Sequence, residues 1–378
     1  MRNSYLPYGK QMIDELDIEA VVNVLRGEFI TTGPAIEKFE ENIAEYVGAK
    51  YAVAFTNGTA ALHGACFAAD IGKGDEVVTT PMTFAASSNC VLYQGGTVVF
   101  ADIDSSTYNI DPKSIEEQIT NKTKAIIPVD FTGQPVDLES INKIAKQNNL
   151  VVIEDAAHAL GARYKNKKIG SISDMTMFSF HPVKHITTGE GGMITTNNKV
   201  YYEKLLQFRS HGITRDPKLL KDNQGPWYYE MQFLGYNYRM TDIQAALGIS
   251  QLLKLDSFLE RRKEIVKKYN NAFQNIESIT IPYQSNEGES SWHLYIIQVS
   301  QNRRGIFESL QKRNIGVNVH YIPVHKLPYY QEIGYKETYL PNAEKLYENS
   351  ISLPLFPGMT DQDVEDVIEA VEDVLANE

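Results

Sequence analysis

The chain has 378 residues, enough for two domains and for a sizeable core without covalent staples. Apolar residues make up 43% and charged residues 22%, which excludes a disordered, collagen-like or coiled-coil chain. With 36 Lys and Arg against 48 Asp and Glu the formal charge is −12, which argues against a nucleic-acid partner and against an anionic membrane, while leaving room for a local basic pocket.

Two cysteines, Cys66 and Cys90, are too few for a disulfide framework and fit a reducing compartment. The N-terminal MRNSYLPYGKQ has no apolar h-region, and no apolar run approaches the ~18 residues of a spanning helix. The expectation is a soluble, cytoplasmic protein.

From about residue 35 to 250, short β-branched runs alternate with longer helical patterns. Strands are predicted at Tyr51–Phe55, Glu76–Thr80, Thr97–Ala101, Ala125–Val129, Leu150–Ile153, Met175–Ser179 and Gly192–Thr196, with an amphipathic helix at Asp137–Gln147. Apolar strands separated by helices predict an α/β domain with a mostly parallel sheet. Ligand sites in such sheets gather at the carboxyl ends of the strands. A helical stretch follows over roughly Thr241–Phe273, capped by Thr241 or Asp242, and reads as a connector. The remainder predicts a strand (His293–Val299), a helix (Arg304–Arg313), a strand (Gly316–Val319) and a terminal helix (Asp361–Ala376). These form a smaller α+β domain, so the division is 1–260 and 261–378.

Three segments carry chemistry. Thr56-Asn57-Gly58-Thr59 closes a strand and opens a helix, where free backbone N–H groups favour an anion such as phosphate. An ordinary helix cap is the competing reading. Val151-Val152-Ile153-Glu154-Asp155-Ala156-Ala157-His158 ends an apolar strand in acid, and the competing reading is again a cap. Met177-Phe178-Ser179-Phe180-His181-Pro182-Val183-Lys184 places a lysine after an apolar strand and before a Gly-rich turn. A buried lysine has a lowered pKa and becomes a nucleophile able to form a Schiff base; a surface lysine is the alternative. Taken together, an anion seat at Gly58 and Thr59, an acid at Asp155 and an amine at Lys184 match the three needs of pyridoxal 5'-phosphate (PLP). Phe84 offers a flat apolar wall for its ring.

The sequence resembles the DegT/DnrJ/EryC1/StrS sugar aminotransferases. The resemblance runs from Ile30-Thr31-Thr32-Gly33-Pro34 to the C-terminal helix and includes Gly189-Glu190-Gly191-Gly192 and Gly235-Tyr236-Asn237-Tyr238-Arg239-Met240. It implies the type I PLP-dependent transferase fold, a mostly parallel central sheet flanked by helices with a smaller α+β C-terminal domain. It implies PLP as an aldimine on Lys184, with Asp155 on the pyridinium nitrogen and His158, where many members have glutamine, beside the ring hydroxyl. Gly58, Thr59 and Ser179 would hold the phosphate with Asn237 from a second copy, making a homodimer with composite sites. Substrate contacts are expected from Tyr8, Thr31, His181, Asn318, His320 and Tyr321, with strand-end packing as the competing reading for His320 and Tyr321.

Within the family the sequence is most similar to the branch that aminates C4 of a UDP-linked 4-keto-6-deoxy-N-acetyl hexosamine for pseudaminic acid synthesis. The product implied is UDP-4-amino-4,6-dideoxy-N-acetyl-β-L-altrosamine, with L-glutamate as donor. The carrying features are His158, the Phe180–Lys184 run with Ile186-Thr187-Thr188, and Val319-His320-Tyr321. A gluco-configured UDP sugar, or a dTDP- or GDP-linked one, would share every cofactor motif. A PLP sugar dehydratase of this fold has histidine in place of the lysine, so Lys184 argues against it. A regulator without cofactor chemistry would have no need of these residues.

Overall fold

A computed structural model describes residues 2–376. Seven of the apolar runs pair into one sheet: β1 (Tyr51–Phe55), β2 (Glu76–Thr79), β3 (Thr97–Phe100), β4 (Thr123–Ile127), β5 (Val151–Asp155), β6 (Met175–Ser179) and β7 (Gly192–Thr196). Their spatial order is β1-β7-β6-β5-β4-β2-β3. Neighbours are parallel except at β7, which runs antiparallel to both β1 and β6. Alternate residues feed two cores. Val53, Phe55, Ile153 and Met177 face one, and Ala52, Ala54, Val152 and Phe178 face the other. Burial on both faces explains why these strands read as unbroken apolar runs.

The topology gathers three chain segments at one edge. The parallel strands β1, β5 and β6 finish there at Phe55, Asp155 and Ser179. Strand β7 begins there, with Gly192 paired to both Phe55 and Ser179. β1 is an outer strand, and an outer strand leaves backbone groups to be satisfied. The Ala54 N–H donates to Glu40 Oε1 (2.7 Å), and Arg209 Nη1 donates to the Ala54 carbonyl (2.6 Å). Glu40 and Arg209 are themselves ion-paired. That clamp fixes the strand leading into Asn57-Gly58.

A second, three-stranded antiparallel sheet has Tyr295–Val299 between Ile279–Thr280 and Ser350–Leu353. Its core takes Ile265, Tyr269 and Phe273 from one helix and Val364, Val367 and Val371 from the Asp361–Ala376 helix. The N-terminal segment lies beside it. Leu6 N–H donates to the Asn314 carbonyl (2.9 Å), and Leu355 N–H donates to the Tyr8 carbonyl (3.0 Å).

Several local expectations are corrected. The stretch 241–273 is two helices, Asp242–Leu252 and Leu255–Phe273, rather than one. The break is at Lys254, whose amine pairs with Asp14 (2.8 Å) and Asp17 (2.5 Å). The first helix packs near the N-terminal helices, while the second joins the smaller core. Thr241 caps the first in a capping box with Gln244, as its sequence predicts. Residues 316–319 form no strand; Asn318 makes only a single bridge to Ser352. Unpredicted elements include the strand Ser350–Leu353, the helix Pro341–Asn349 and two N-terminal helices, Glu15–Arg26 and Pro34–Val47. The signals of the N-terminal helices were the Asp14/Asp17 capping box and Pro34 at the first helical position. Among the described residues no helix is long and apolar enough to cross a membrane. Cys66 and Cys90 are buried free thiols.

Candidate active site

The anion seat forms where β1 turns into the Gly58–Ala68 helix. Asn57 is the N-cap, and its Oδ1 accepts from Ala60 N–H (2.8 Å). The Gly58 and Thr59 amides precede the first possible intrahelical bond and have no partner among the described residues. Two free N–H groups at a helix N-terminus attract an anion. Ser179 lies alongside, since a Cβ on Gly58 would stand 3.6 Å from its Oγ. Gly192 backs the seat: a Cβ there would be 2.5 Å from the Asn57 carbonyl oxygen and 2.7 Å from the Gly58 nitrogen. Any side chain at 192 would push the helix start out of place.

Asp155 ends β5 and is 3% exposed. Its Oδ2 accepts from Ser87 Oγ (2.6 Å) and its Oδ1 from Ala157 N–H (3.1 Å). Ser87 is linked in turn to Thr83 Oγ1 (2.7 Å). Burial pushes the carboxyl up, while the Ser87 and Ala157 hydrogen bonds and the Lys184 charge pull it back. A carboxylate offers about four lone-pair sites, so acceptor capacity remains for a cationic N–H. Behind it, Asp130 and Glu154 are fully buried carboxyls. Burial, reinforced by the Glu154 charge, pushes Asp130 well up, so Asp130 keeps its proton beside Glu154.

Lys184 follows β6 through a turn in which its N–H donates to the His181 carbonyl (2.9 Å). Burial lowers its pKa to about 8, against the opposing pull of Asp155. The amine is still mostly charged at neutrality, but its neutral, nucleophilic fraction is far larger than that of a solvated lysine. His158 is buried, its Nε2 lies 3.2 Å from Tyr321 Oη, and its Nδ1 has no partner among the described residues. Burial, then the Lys184 charge, holds its pKa well below 6.5, so the ring is neutral.

These groups share one cavity of about 730 Å³. Gly58, Thr59, Phe84, Asp155, His158, Ser179 and Lys184 all line it, as do Tyr8, His181, Asn318, His320 and Tyr321. Phe84 presents a ring that is 64% exposed. His320 is on the wall, but Ser352 Oγ lies 2.8 Å from its Nδ1 and Asn318 Nδ2 lies 3.3 Å from its Nε2, which favours the packing reading for its nitrogens. Two expected contacts are elsewhere. Thr31 forms a bridge with Thr241 outside the lining. Asn237 is exposed, and its Oδ1 accepts from Arg239 (3.2 and 3.1 Å) outside this chain's own cavity. Sequence reasoning missed Ser87, His63 and His293. His63 stands four residues after Thr59 on one helix face, a readable signal. Its pKa is lowered to about 4 by burial. Ser87 and His293 had no local signal.

The free amides beside a hydroxyl, the acid with spare acceptor capacity and the desolvated amine fit PLP. The Asp155–Ser87 bond makes this testable. Ser87→Ala removes a donor to the charged carboxylate, so the proton affinity of Asp155 rises. PLP binding, measured by equilibrium dialysis, should weaken roughly tenfold, and more steeply toward acid pH. Equal affinity in both proteins across the pH series would contradict the role given to this hydrogen bond.

Comparison with known proteins agrees with this geometry. The DegT/DnrJ/EryC1/StrS aminotransferase family matches residues 11–372. The spore coat polysaccharide biosynthesis protein SpsC of Bacillus subtilis is 44% identical over 99% of this chain and 98% of its own. The UDP-4-amino-4,6-dideoxy-N-acetyl-β-L-altrosamine transaminase of Campylobacter jejuni is 40% identical over 98% of this chain and 97% of its own. Spr1654 of Streptococcus pneumoniae, solved in a PLP form, superposes with a TM-score of 0.92 at 35% identity, covering 99% of both chains. The architecture is thus the type I PLP fold, and the chain belongs to the DegT/DnrJ/EryC1/StrS family of PLP-dependent aminotransferases.

Proposed function

We propose that the protein transfers the amino group of L-glutamate to C4 of a UDP-linked 4-keto-6-deoxy-N-acetyl hexosamine. The product is UDP-4-amino-4,6-dideoxy-N-acetyl-β-L-altrosamine, for pseudaminic acid synthesis. The observation that carries the chemistry is the convergence of anion seat, acid and desolvated amine in one cavity. The C4 assignment is supported by the 40% identical Campylobacter jejuni transaminase.

PLP, when bound, supplies an electron sink for the carbanion formed next to the transferred nitrogen. The Gly58 and Thr59 amides and the Ser179 hydroxyl would hold its phosphate. Asp155 would accept the hydrogen of its ring nitrogen and so keep that nitrogen protonated, Phe84 would offer an apolar wall to its ring, and His158 would serve its hydroxyl. Lys184 would be the amine that binds its aldehyde, and, once free, its Nζ would be the base for the donor's α-proton. The sugar nucleotide lies between the first ~30 residues, with Tyr8 on the cavity lining and Thr31, outside it, at the entrance, and the wall formed by His181, Asn318, His320 and Tyr321.

Asn237 completes the phosphate seat from a second copy of the chain, and its exposed position outside its own cavity supports that reading. The working unit is then a homodimer in the cytoplasm. A separate core, drawn from residues between 265 and 374 together with Leu6, supports a division into 1–260 and 261–378. The 44% identity to a spore coat polysaccharide protein favours one second reading, an aminotransferase for a different nucleotide 4-keto-sugar.

Two experiments test these readings. With L-glutamate and the L-arabino-configured UDP-4-keto sugar, the enzyme should form the 4-amino product and 2-oxoglutarate. Efficient turnover of dTDP- or GDP-linked keto-sugars with none of the UDP substrate would overturn the substrate assignment alone. For the dimer, a Lys184→Ala chain is co-expressed with an Asn237→Ala chain, each inactive by itself. Mixed dimers should regain one working site; a pool no more active than either parent contradicts the shared site.

A further inference from the structure

The side-chain amine of Lys184 has one hydrogen-bond partner among the described residues, and it comes from a distant part of the chain. Nζ stands 3.4 Å from Nε2 of His293, 109 positions along the chain. His293 lies two residues before the central strand of the smaller sheet and is 4% exposed. Its backbone is held on both sides. The His293 N–H donates to the Thr132 carbonyl (2.8 Å), and its carbonyl accepts from Nη1 of the buried Arg262 (3.2 Å). Gly133, at φ +100°, packs directly beneath: a Cβ there would stand 3.0 Å from the His293 nitrogen and 2.7 Å from the His158 carbonyl oxygen. The imidazole is delivered to Lys184 by fixed backbone.

The tautomer follows from the partners. An ammonium has only donors to offer, and a neutral amine offers both donors and a lone pair. With Lys184 donating, Nε2 of His293 accepts and the ring proton sits on Nδ1, which has no protein partner among the described residues. A charged imidazolium could not accept. Burial keeps the ring neutral, and the surrounding groups act in the same sense: Lys184 most, then His158, His185 and Arg262. His158 and His293 rings are 4.3 Å apart, and His185 and His293 rings 5.5 Å. Asp155 faces the same amine with a negative charge, and His320 lies within the reach of its charge.

We propose that His293 is a positioning residue for Lys184: its neutral Nε2 accepts a hydrogen from the lysine amine whenever that amine is free, and so holds Nζ at one place in the cavity. The inference rests on the reading of Lys184 as the cofactor-binding lysine. Two consequences follow. The free amine keeps its lone pair available, because it donates to His293 rather than accepting from it. The accepting nitrogen also stabilises the ammonium form more than the amine, so it raises the Lys184 pKa above that of an equally buried amine with no partner.

The test follows acetic anhydride labelling of Lys184 by mass spectrometry over a pH series. It uses the full-length holoenzyme at rest and after L-glutamate has released the lysine. In the wild type, Lys184 should be shielded at rest and labelled after glutamate. In His293→Phe the labelling midpoint should fall by about one pH unit, the difference between a charge-assisted and a neutral hydrogen bond. His293→Gln keeps an acceptor and should stay near the wild-type midpoint. An unchanged midpoint in His293→Phe overturns the inference. Equal labelling of wild-type Lys184 before and after glutamate overturns instead the assignment of the lysine, and this inference with it. Should His293→Phe fail to fold, ¹⁵N-histidine spectra of the wild type decide, with the His293 signals identified by their loss in His293→Gln. An Nδ1-protonated ring whose Nε2 signal moves on adding glutamate supports the proposal, and an Nε2 signal that stays put overturns it.

Discussion

Asp155 sets the terms for the rest of the site. A carboxylate almost fully removed from water is tolerated only where hydrogen bonds and a positive partner offset the lost solvation. Here Ser87 and the Ala157 amide supply the hydrogen bonds, and Lys184 supplies part of the charge. Lys184 is desolvated in its turn, so the two groups oppose each other's burial. Of the two carboxyls behind Asp155, burial keeps Asp130 protonated, so it adds no charge of its own. The result is a negative site with acceptor capacity left over, built to receive a cationic N–H.

The sheet explains how three distant segments reach that acid. Parallel strands put their carboxyl ends on one side, so Phe55, Asp155 and Ser179 arrive together without any loop having to reach across the molecule. The antiparallel β7 is inserted between β1 and β6 and starts at that edge. It starts with a glycine because the Asn57 carbonyl and Gly58 nitrogen occupy the space a side chain would need. The smaller sheet closes the cavity from the other side, bringing Asn318, His320, Tyr321 and His293 to the same amine and acid.

Much of this was legible in the order of residues. The seven strands show as β-branched runs because both faces are buried, and each begins or ends within about two residues of its expected place. Gly58, Asp155, Ser179 and Lys184 were readable because each directly follows or closes such a run. The break at Lys254 was not, because it depends on Asp14 and Asp17, more than two hundred residues away. Residues 316–319 look like a strand by composition, yet Leu6 and Ser352 bond to them only at isolated points. Ser87 and His293 are single residues with no local pattern, and only folding shows what they touch. Asn237 and Thr31 lie outside the cavity of their own chain, so a single chain does not bring them to the acid and the amine.

The central claim is that these segments make a single PLP site whose amine is Lys184. Borohydride reduction of the resting holoenzyme, followed by proteolysis and mass mapping, tests it most directly, because reduction makes the lysine–cofactor bond permanent. The account predicts a pyridoxyl group on the peptide carrying Lys184 and on no other. A pyridoxyl group on a different lysine, or none on any peptide of a cofactor-loaded protein, would contradict it.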